Sequence, residues 1–218
     1  MNSSQLEELE AAVRKIYLDN AHKVPYHGWH HIDFVAKRAE EFMQELGAER
    51  AITRAASLVH DFNYLVAMNS PESAGRAFRE EVLGGIGFSA GETSRIEAII
   101  SEARTSARHA DISPEAKALS DADTAYKALP ITPLMSVDYL VENNVTLREL
   151  AKKIVSEQTP LEHQGFYFYS SKAREVYGEW GVLNLQMWTR VLRSLDDPEI
   201  EIISMRSEIA GGVEGPEI

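Results

Sequence analysis

The sequence predicts an all-α fold, in which a single domain is built as a helical bundle. Apolar residues recur at helical spacing along nearly the whole chain. The alternating apolar pattern of a β-strand is hard to find, and the short stretch "GFYFY" at residues 165–169 allows either a helix or a strand. No internal repeat, linker or low-complexity block divides the chain. With 44% hydrophobic residues among 218, one domain can bury a sizeable core.

The helices are expected to follow one another through short connections. Gly47 is expected to end the second helix, and Ser113 followed by Pro114 is typical of an N-cap with proline in the first helical position. The expected ranges are 4–20, from near Gly28 to 46, 49–66, 71–84, 90–106, 113–128, 133–143, 147–157 and 169–195. The domain is expected to cover residues 1–210, followed by a loose tail at 211–218.

Composition excludes several classes of site. The chain has no cysteine, which excludes thiolate zinc sites, iron–sulfur clusters and disulfides, so any metal must be held by His, Asp or Glu. No apolar run approaches the roughly 18 residues of a membrane span, and the N-terminus lacks the features of a signal peptide. We therefore expect a cytoplasmic protein with no membrane partner.

Charge argues against a long nucleic acid as the ligand. The formal net charge is −12, with 34 acidic and 22 basic residues, and the sequence shows no basic stripe. A small phosphorylated substrate stays possible, because a metal and a few nearby cations can outweigh the global charge. The sequence leaves a homodimer open.

Three of the seven histidines lie in the stretch "YHGWHHIDFV", residues 26–35. If a helix begins near Gly28, a rotation of about 100° per residue places His30 opposite the apolar stripe and His31 at its edge. His27 lies one turn before His31 on the same side. We expect His30 to be solvated and the other two to face inward. A single inward histidine is most often a hydrogen-bonded core residue, so His31 alone does not indicate a metal site.

A second motif places His60 and Asp61 inside the apolar run "AASLVHDFNYLVAM". Burying a carboxylate beside an imidazole is costly unless both are paired. The pair could join two helices by a hydrogen bond, or it could hold a metal, and the motif alone favours neither strongly.

A third motif, "SPEAKALSDADTAYKAL" at residues 113–129, carries two aspartates. By the same rotation Asp123 lies near the centre of the apolar face, whereas Asp121 is expected to point to solvent. An aspartate on an apolar face needs a cation. Two imidazoles and two carboxylates suit a divalent first-row metal, and the predicted ligands are His31, His60, Asp61 and Asp123.

The order "YHGWHH", "HD" and "DAD" resembles the H…HD…D signature of the HD-domain superfamily of metal-dependent phosphohydrolases. The flanking stretches "LVHDFNY", "NSPESA", "DADTAYKAL" and "FYFYSSKARE" resemble one group of predicted hydrolases within it. The resemblance covers about residues 26–180. It implies an HD-type helical domain with a metal-site core at about 26–130, C-terminal helices at 131–198, and one divalent ion such as Mn, Fe, Ni, Mg or Zn.

The resemblance also implies roles for single residues. His27 falls where related phosphodiesterases carry the proton donor to the leaving group, and Asp61 is expected to orient the attacking water. Two positions depart from the family pattern, because Gly28 replaces its usual asparagine and Thr124 replaces a basic residue that often follows the last aspartate. The candidates for phosphate contact are Lys127, Arg104, Arg108 and His109, although each could be an ordinary surface or salt-bridge residue.

The expected function is metal-dependent hydrolysis of a phosphomonoester or phosphodiester in a small, nucleotide-like substrate. One alternative is a non-catalytic module that binds a nucleotide or partner through the same fold, with a structural metal. A less favoured alternative is a di-iron oxygenase, which needs further histidines between His60 and Asp123. His109 is the one available.

Overall fold

Ten α-helices and no β-strand make up the part of the chain that the computed structural model describes, residues 2–68 and 70–200. They are α1 (Ser3–Asp19), α2 (Trp29–Leu46), α3 (Arg50–Val59), α4 (Phe62–Val66), α5 (Arg76–Ile86), α6 (Ala90–Glu102), α7 (Pro114–Ala128), α8 (Thr132–Asn143), α9 (Leu147–Gln164) and α10 (Ser171–Ser194). Short 3-10 turns lie at Glu72–Gly75 and Thr105–Ala107. The prediction of an all-α bundle in one domain is confirmed. The expected tail at 211–218 lies outside the described residues.

Helix ends follow the capping chemistry of the sequence. The Ser113 hydroxyl accepts the N–H of Ala116 at 3.3 Å, and Pro114 occupies the first turn of α7. Gly47 ends α2 with a φ of 71°, a left-handed conformation that favours glycine. Reciprocal capping boxes begin three helices, at Asn2, Ser89 and Thr146.

Several elements differ from the expectation. The helices expected at 71–84 and 90–106 are the shorter α5 and α6, and the 3-10 turns at Glu72–Gly75 and Thr105–Ala107 lie outside them. The helix expected at 49–66 is two helices, α3 and α4, separated by a turn at His60 and Asp61. Helix α9 continues to Gln164, with Pro160 in its interior, rather than ending near 157. The "GFYFY" stretch is neither helix nor strand, because Gly165 ends α9 with a φ of 79° and an irregular segment follows.

Helix α7 occupies the centre of the bundle, where it packs against α2, α3, α6 and α10. Its residues are buried on every side, as expected for a helix that is enclosed by others. The prediction that Asp121 points to solvent is therefore wrong. Asp121 is fully buried, and its carboxylate accepts the N–H groups of Tyr169 and Ser170, each at 2.7 Å. A helical wheel presupposes one solvent face, which α7 does not have.

Two apolar clusters form the core. The larger one joins α1, α2, α3, α6 and α7, together with residues of the segment before α10. The smaller one joins the segment before α2 to α7, α8, α9 and α10 through Tyr26, Tyr126, Tyr139, Leu150, Ala151 and Trp188. Among the described residues, no helix is both long and apolar enough to cross a membrane.

Candidate metal centre

Three predicted ligands come together at the ends of α2 and α3. The Nε2 atoms of His31 and His60 are 3.3 Å apart. Asp61 places Oδ2 at 3.0 Å from His31 Nε2 and at 3.2 Å from His60 Nε2. The donor atoms of these three residues all lie within 4.8 Å of one another, a spacing at which they could hold one metal ion.

The turn between α3 and α4 brings His60 and Asp61 to the same point. In a continuous helix neighbouring side chains diverge by about 100°. Asp61 instead has φ −102° and ψ 20°, so the chain leaves the helix there and α4 begins at the next residue. The break that the sequence did not predict thus allows two consecutive residues to contribute to one cluster.

Asp123 approaches the cluster from α7. Its Oδ1 lies 3.8 Å from His31 Nε2, and its Oδ2 accepts a hydrogen bond from Lys127, one turn later on the same helix. The distance from His31 is longer than those within the group of three. One oxygen of Asp123 is therefore available to an ion, while the other is held by an ammonium group.

The Nδ1 atoms of His31 and His60 have different hydrogen-bonding surroundings. His60 Nδ1 donates to the Ser57 carbonyl at 2.8 Å, which leaves Nε2 as the nitrogen with a free lone pair. His31 Nδ1 is buried and has no hydrogen-bond partner among the described residues. With Nδ1 protonated, His31 also directs a lone pair from Nε2 into the cluster. Two such imidazoles beside two carboxylates fit a divalent first-row ion.

The pKa shifts of the cluster residues without an ion are also compatible with the binding of a cation. Burial lowers the pKa of His31 to about 4, so this imidazole is neutral near pH 7. Burial alone would raise the pKa of Asp61, but His60 and His31 lower it well below its usual range. Burial alone would lower the pKa of His60, but the Asp61 carboxylate outweighs burial and raises it. An ion that binds His60 Nε2 would compete with a proton for that nitrogen.

His27 lies beside the cluster in a fixed orientation. Its ring stacks on Tyr64 with centroids 3.6 Å apart, and its centroid is 5.5 Å from that of His31. Its Nδ1 is hydrogen-bonded to Glu142 Oε1. Glu142 Oε2 accepts the backbone N–H groups of Tyr26 and His27, at 2.8 and 3.0 Å. Sequence reasoning missed Glu142, which is 115 residues from His27 and carries no local motif.

A cavity of about 460 Å³ adjoins His27, His60, Asp61 and Asp123. Helix α9 lines it with one continuous face, formed by Leu150, Lys153, Ile154, Glu157, Gln158 and Leu161. This volume suits a small molecule. The part of α9 beyond residue 157, which the sequence did not predict to be helical, supplies two of these wall residues.

In the part of the chain that the structure describes, basic and acidic side chains are equal in number in the cavity wall. Four are basic, namely Arg104, Arg108, Lys127 and Lys153, and four are acidic, namely Asp61, Glu72, Asp123 and Glu157. The wall is thus far less acidic than the chain as a whole, whose formal net charge is −12. An anion can approach this cavity more readily than it can approach the average surface.

The four predicted phosphate contacts have different surroundings. Lys127 bonds to Asp123, Arg104 pairs with Glu72, and Arg108 is buried in the wall. His109 is exposed and does not belong to the cavity wall; its Nδ1 accepts the N–H of Asp111 at 3.1 Å. Lys153, which the sequence did not single out, lines the cavity and donates to the Tyr139 hydroxyl at 2.8 Å.

Comparison with known proteins supports the fold alone. No family model and no curated protein matches the chain. Among solved structures, the chain is similar to a structural-genomics target from Lactobacillus plantarum, with a TM-score of 0.66 and 17% sequence identity. The match covers 89% of this chain and 96% of that one. The name of that protein states no activity.

Proposed function

We propose that this protein is a metal-dependent phosphohydrolase of the HD-domain type, acting in the cytoplasm on a small, nucleotide-like phosphoester. The observation that carries the proposal is the meeting of His31, His60 and Asp61 at one point, with Asp123 beside them. This set matches, residue for residue, the H…HD…D order in the sequence. A bound divalent ion would supply Lewis-acid polarisation of a phosphoryl oxygen and a water of lowered pKa.

His27 is suited to the role of general acid. Glu142 accepts the hydrogen of Nδ1, so Nε2 is the nitrogen that exchanges a proton with a substrate in the cavity. The carboxylate of Glu142 also stabilises the ring when both nitrogens carry hydrogen. Stacking on Tyr64 keeps the imidazole in one plane, which reduces the cost of orienting it for proton transfer.

The cavity wall favours a compact organic group with both apolar and polar parts. Tyr139, Trp188 and Ile154 provide apolar surface, and Gln158 and Lys153 provide hydrogen-bonding groups on the same side. A sugar or a base offers surfaces of both kinds. This combination supports a nucleotide-like substrate over a long polymer, which a cavity of about 460 Å³ cannot enclose.

A di-iron oxygenase gains no support from the residues around the cluster. That alternative requires further imidazoles near the ion, and His109 does not line the cavity. A non-catalytic module would use the same cavity and the same ligands. Turnover distinguishes it from a hydrolase.

The experiment is a metal-dependent assay on phosphoesters. The purified protein is stripped with chelator and reloaded with manganese, iron, nickel, magnesium or zinc. The reloaded protein is then assayed for hydrolysis of p-nitrophenyl phosphate, of the diester bis(p-nitrophenyl) phosphate and of a set of nucleotides. We expect hydrolysis that requires added metal and disappears in His31→Ala. Saturable binding of a nucleotide without hydrolysis under any metal would contradict the proposal and support the binding module.

A further inference from the structure

Arg108 is a buried cation without a counter-ion. It is 7% exposed, yet it lines the cavity from the segment between α6 and α7. It forms no ion pair with any described residue. Its guanidinium donates to the carbonyls of Tyr167 and Ser120, at 3.2 and 2.7 Å, and to the Thr124 hydroxyl. Its Nε has no hydrogen-bond partner among the described residues.

This arrangement is unfavourable for a purely structural side chain. Removing a charge from water costs several kcal/mol in a real protein, and neutral carbonyls and hydroxyls repay that cost only in part. Burial lowers the pKa of Arg108, and the nearby carboxylates of Asp123 and Asp121 offset this without reaching ion-pair distance. Buried charges are normally paired, and none of the described residues pairs with Arg108, so we look for its partner in a ligand of the cavity that it lines.

The neighbouring arginine provides a contrast within the same segment. Arg104 also lines the cavity, but the Glu72 carboxylate pairs with it. Glu72 is itself held by Arg79 Nη2 at 2.5 Å. Arg104 therefore has a counter-ion in the protein, whereas Arg108 has none in the ranges 2–68 and 70–200.

We propose that Arg108 is an anion-binding residue of the cavity, and that the ligand it selects is a dianionic phosphomonoester rather than a monoanionic diester. This inference rests on the proposed function for the site and names its substrate class. Arg108 bonds to Thr124, the residue after the candidate ligand Asp123, so its charge lies close to the candidate metal centre. The three hydrogen bonds to the wall fix the guanidinium before the ligand arrives, which reduces the entropy cost of binding.

Charge balance supports a dianion. The described residues of the cavity wall include four basic and four acidic side chains, so a divalent ion in the cluster would leave an excess of two positive charges among them. His27 also lines the cavity, and because it bonds to Glu142 these two groups are treated as one pair outside this count. A phosphomonoester carries two negative charges near neutral pH and a diester carries one. The monoester therefore neutralises the cavity, and the diester does not.

The first test measures phosphate binding without metal. Inorganic phosphate is titrated into chelator-treated protein while the melting temperature is recorded, and saturation is expected to raise it by about 3 °C. Arg108→Gln should lose this shift, and Arg108→Lys should keep part of it. Arg174→Gln is the matched control, because Arg174 donates to the Phe168 carbonyl at 2.8 Å, beside Tyr167, but does not line the cavity.

The second test addresses the substrate class by binding alone. Phosphate and dimethyl phosphate are titrated calorimetrically into manganese-loaded protein at pH 8. Phosphate is expected to bind at least about tenfold more tightly, and Arg108→Gln should reduce this ratio to about threefold or less. Far-UV circular dichroism of each variant confirms that it folds, and Arg108→Lys replaces Arg108→Gln if the latter does not.

The outcomes separate this inference from the proposed function. Three results would each overturn the anion site, whether or not the protein hydrolyses esters. Phosphate could raise the melting temperature of Arg108→Gln as much as that of the wild type. Alternatively, Arg174→Gln could lose the rise to the same extent as Arg108→Gln, or the wild type could show no rise. Equal affinity for phosphate and dimethyl phosphate overturns the monoester class. Both expected binding results without any turnover would leave Arg108 as an anion-binding residue in a protein that is not a hydrolase.

Discussion

Neighbouring residues of the candidate site have opposite surroundings. His31 is 1% exposed and contacts His60 and Asp61, whereas the preceding His30 is exposed. Asp123 lies beside the cluster, while Asp121, two residues earlier, is buried against the segment before α10. Side chains of the same type thus have either a chemical or a structural role, and substitution distinguishes the two.

The two aspartates of α7 provide one such test. Asp121→Ala leaves the N–H groups of Tyr169 and Ser170 without their acceptor, so we expect it to lower the free energy of unfolding by about 2 kcal/mol while the metal content is unchanged. Asp123→Ala is expected to lose the ion. Urea denaturation and elemental analysis of both variants provide the measurement. Loss of metal in Asp121→Ala with retention in Asp123→Ala would reverse the two roles.

His27 and Glu142 are expected to affect turnover without affecting the ion. His27→Ala should slow hydrolysis of phenyl phosphate by about 100-fold but that of p-nitrophenyl phosphate by less than about tenfold, since a good leaving group needs little protonation. Glu142→Gln should cause a smaller loss with the same dependence on the leaving group, because it weakens the bond to His27 Nδ1. Equal losses on both esters would contradict the role of general acid.

At the scale of helices, burial determined which predictions from sequence succeeded. The helical wheel worked for α2, whose solvent face is real, and it correctly predicted a buried His31 and an exposed His30. It failed for Asp121 because α7 is enclosed on every side. The break at Asp61 and the continuation of α9 past Pro160 depend on packing that local propensity does not encode. The pairing of Glu142 with His27 joins distant parts of the chain, so no local pattern indicates it.

Helix α10 offers a matched pair of glycines. A Cβ at Gly181 would lie 2.6 Å from the Tyr167 ring, which lines the cavity, whereas a Cβ at Gly178 would make only an ordinary contact with the Arg174 side chain at 3.6 Å. Gly181→Ala is therefore expected to lower the free energy of unfolding by about 2 kcal/mol. Gly178→Ala should raise it by up to about 1 kcal/mol, since alanine favours a helix.

Thermal or urea denaturation of both glycine variants measures these changes. A stable Gly181→Ala protein would show that α10 and the segment at 165–170 do not approach each other as closely as described.

For the whole molecule, the distribution of charge matters more than its sum. The chain carries a formal net charge of −12, yet the wall residues that the structure describes include equal numbers of basic and acidic side chains. A long polyanion would meet the acidic surface, while a small anion in the cavity would meet mainly its wall. An ion in the cluster would join α2, α7 and the α3–α4 turn through their side chains. Its removal should therefore affect the stability of the entire bundle.

The most direct test of the metal centre is the metal content of the purified protein, measured together with that of His31→Ala and His30→Ala. We expect about one divalent ion per chain in the wild type and in His30→Ala, and none in His31→Ala. Chelation of the wild type is expected to lower its melting temperature, because the carboxylates of Asp61 and Asp123 then lack a shared cation. A wild-type protein without metal, whose melting temperature is unchanged by chelator, would contradict the account.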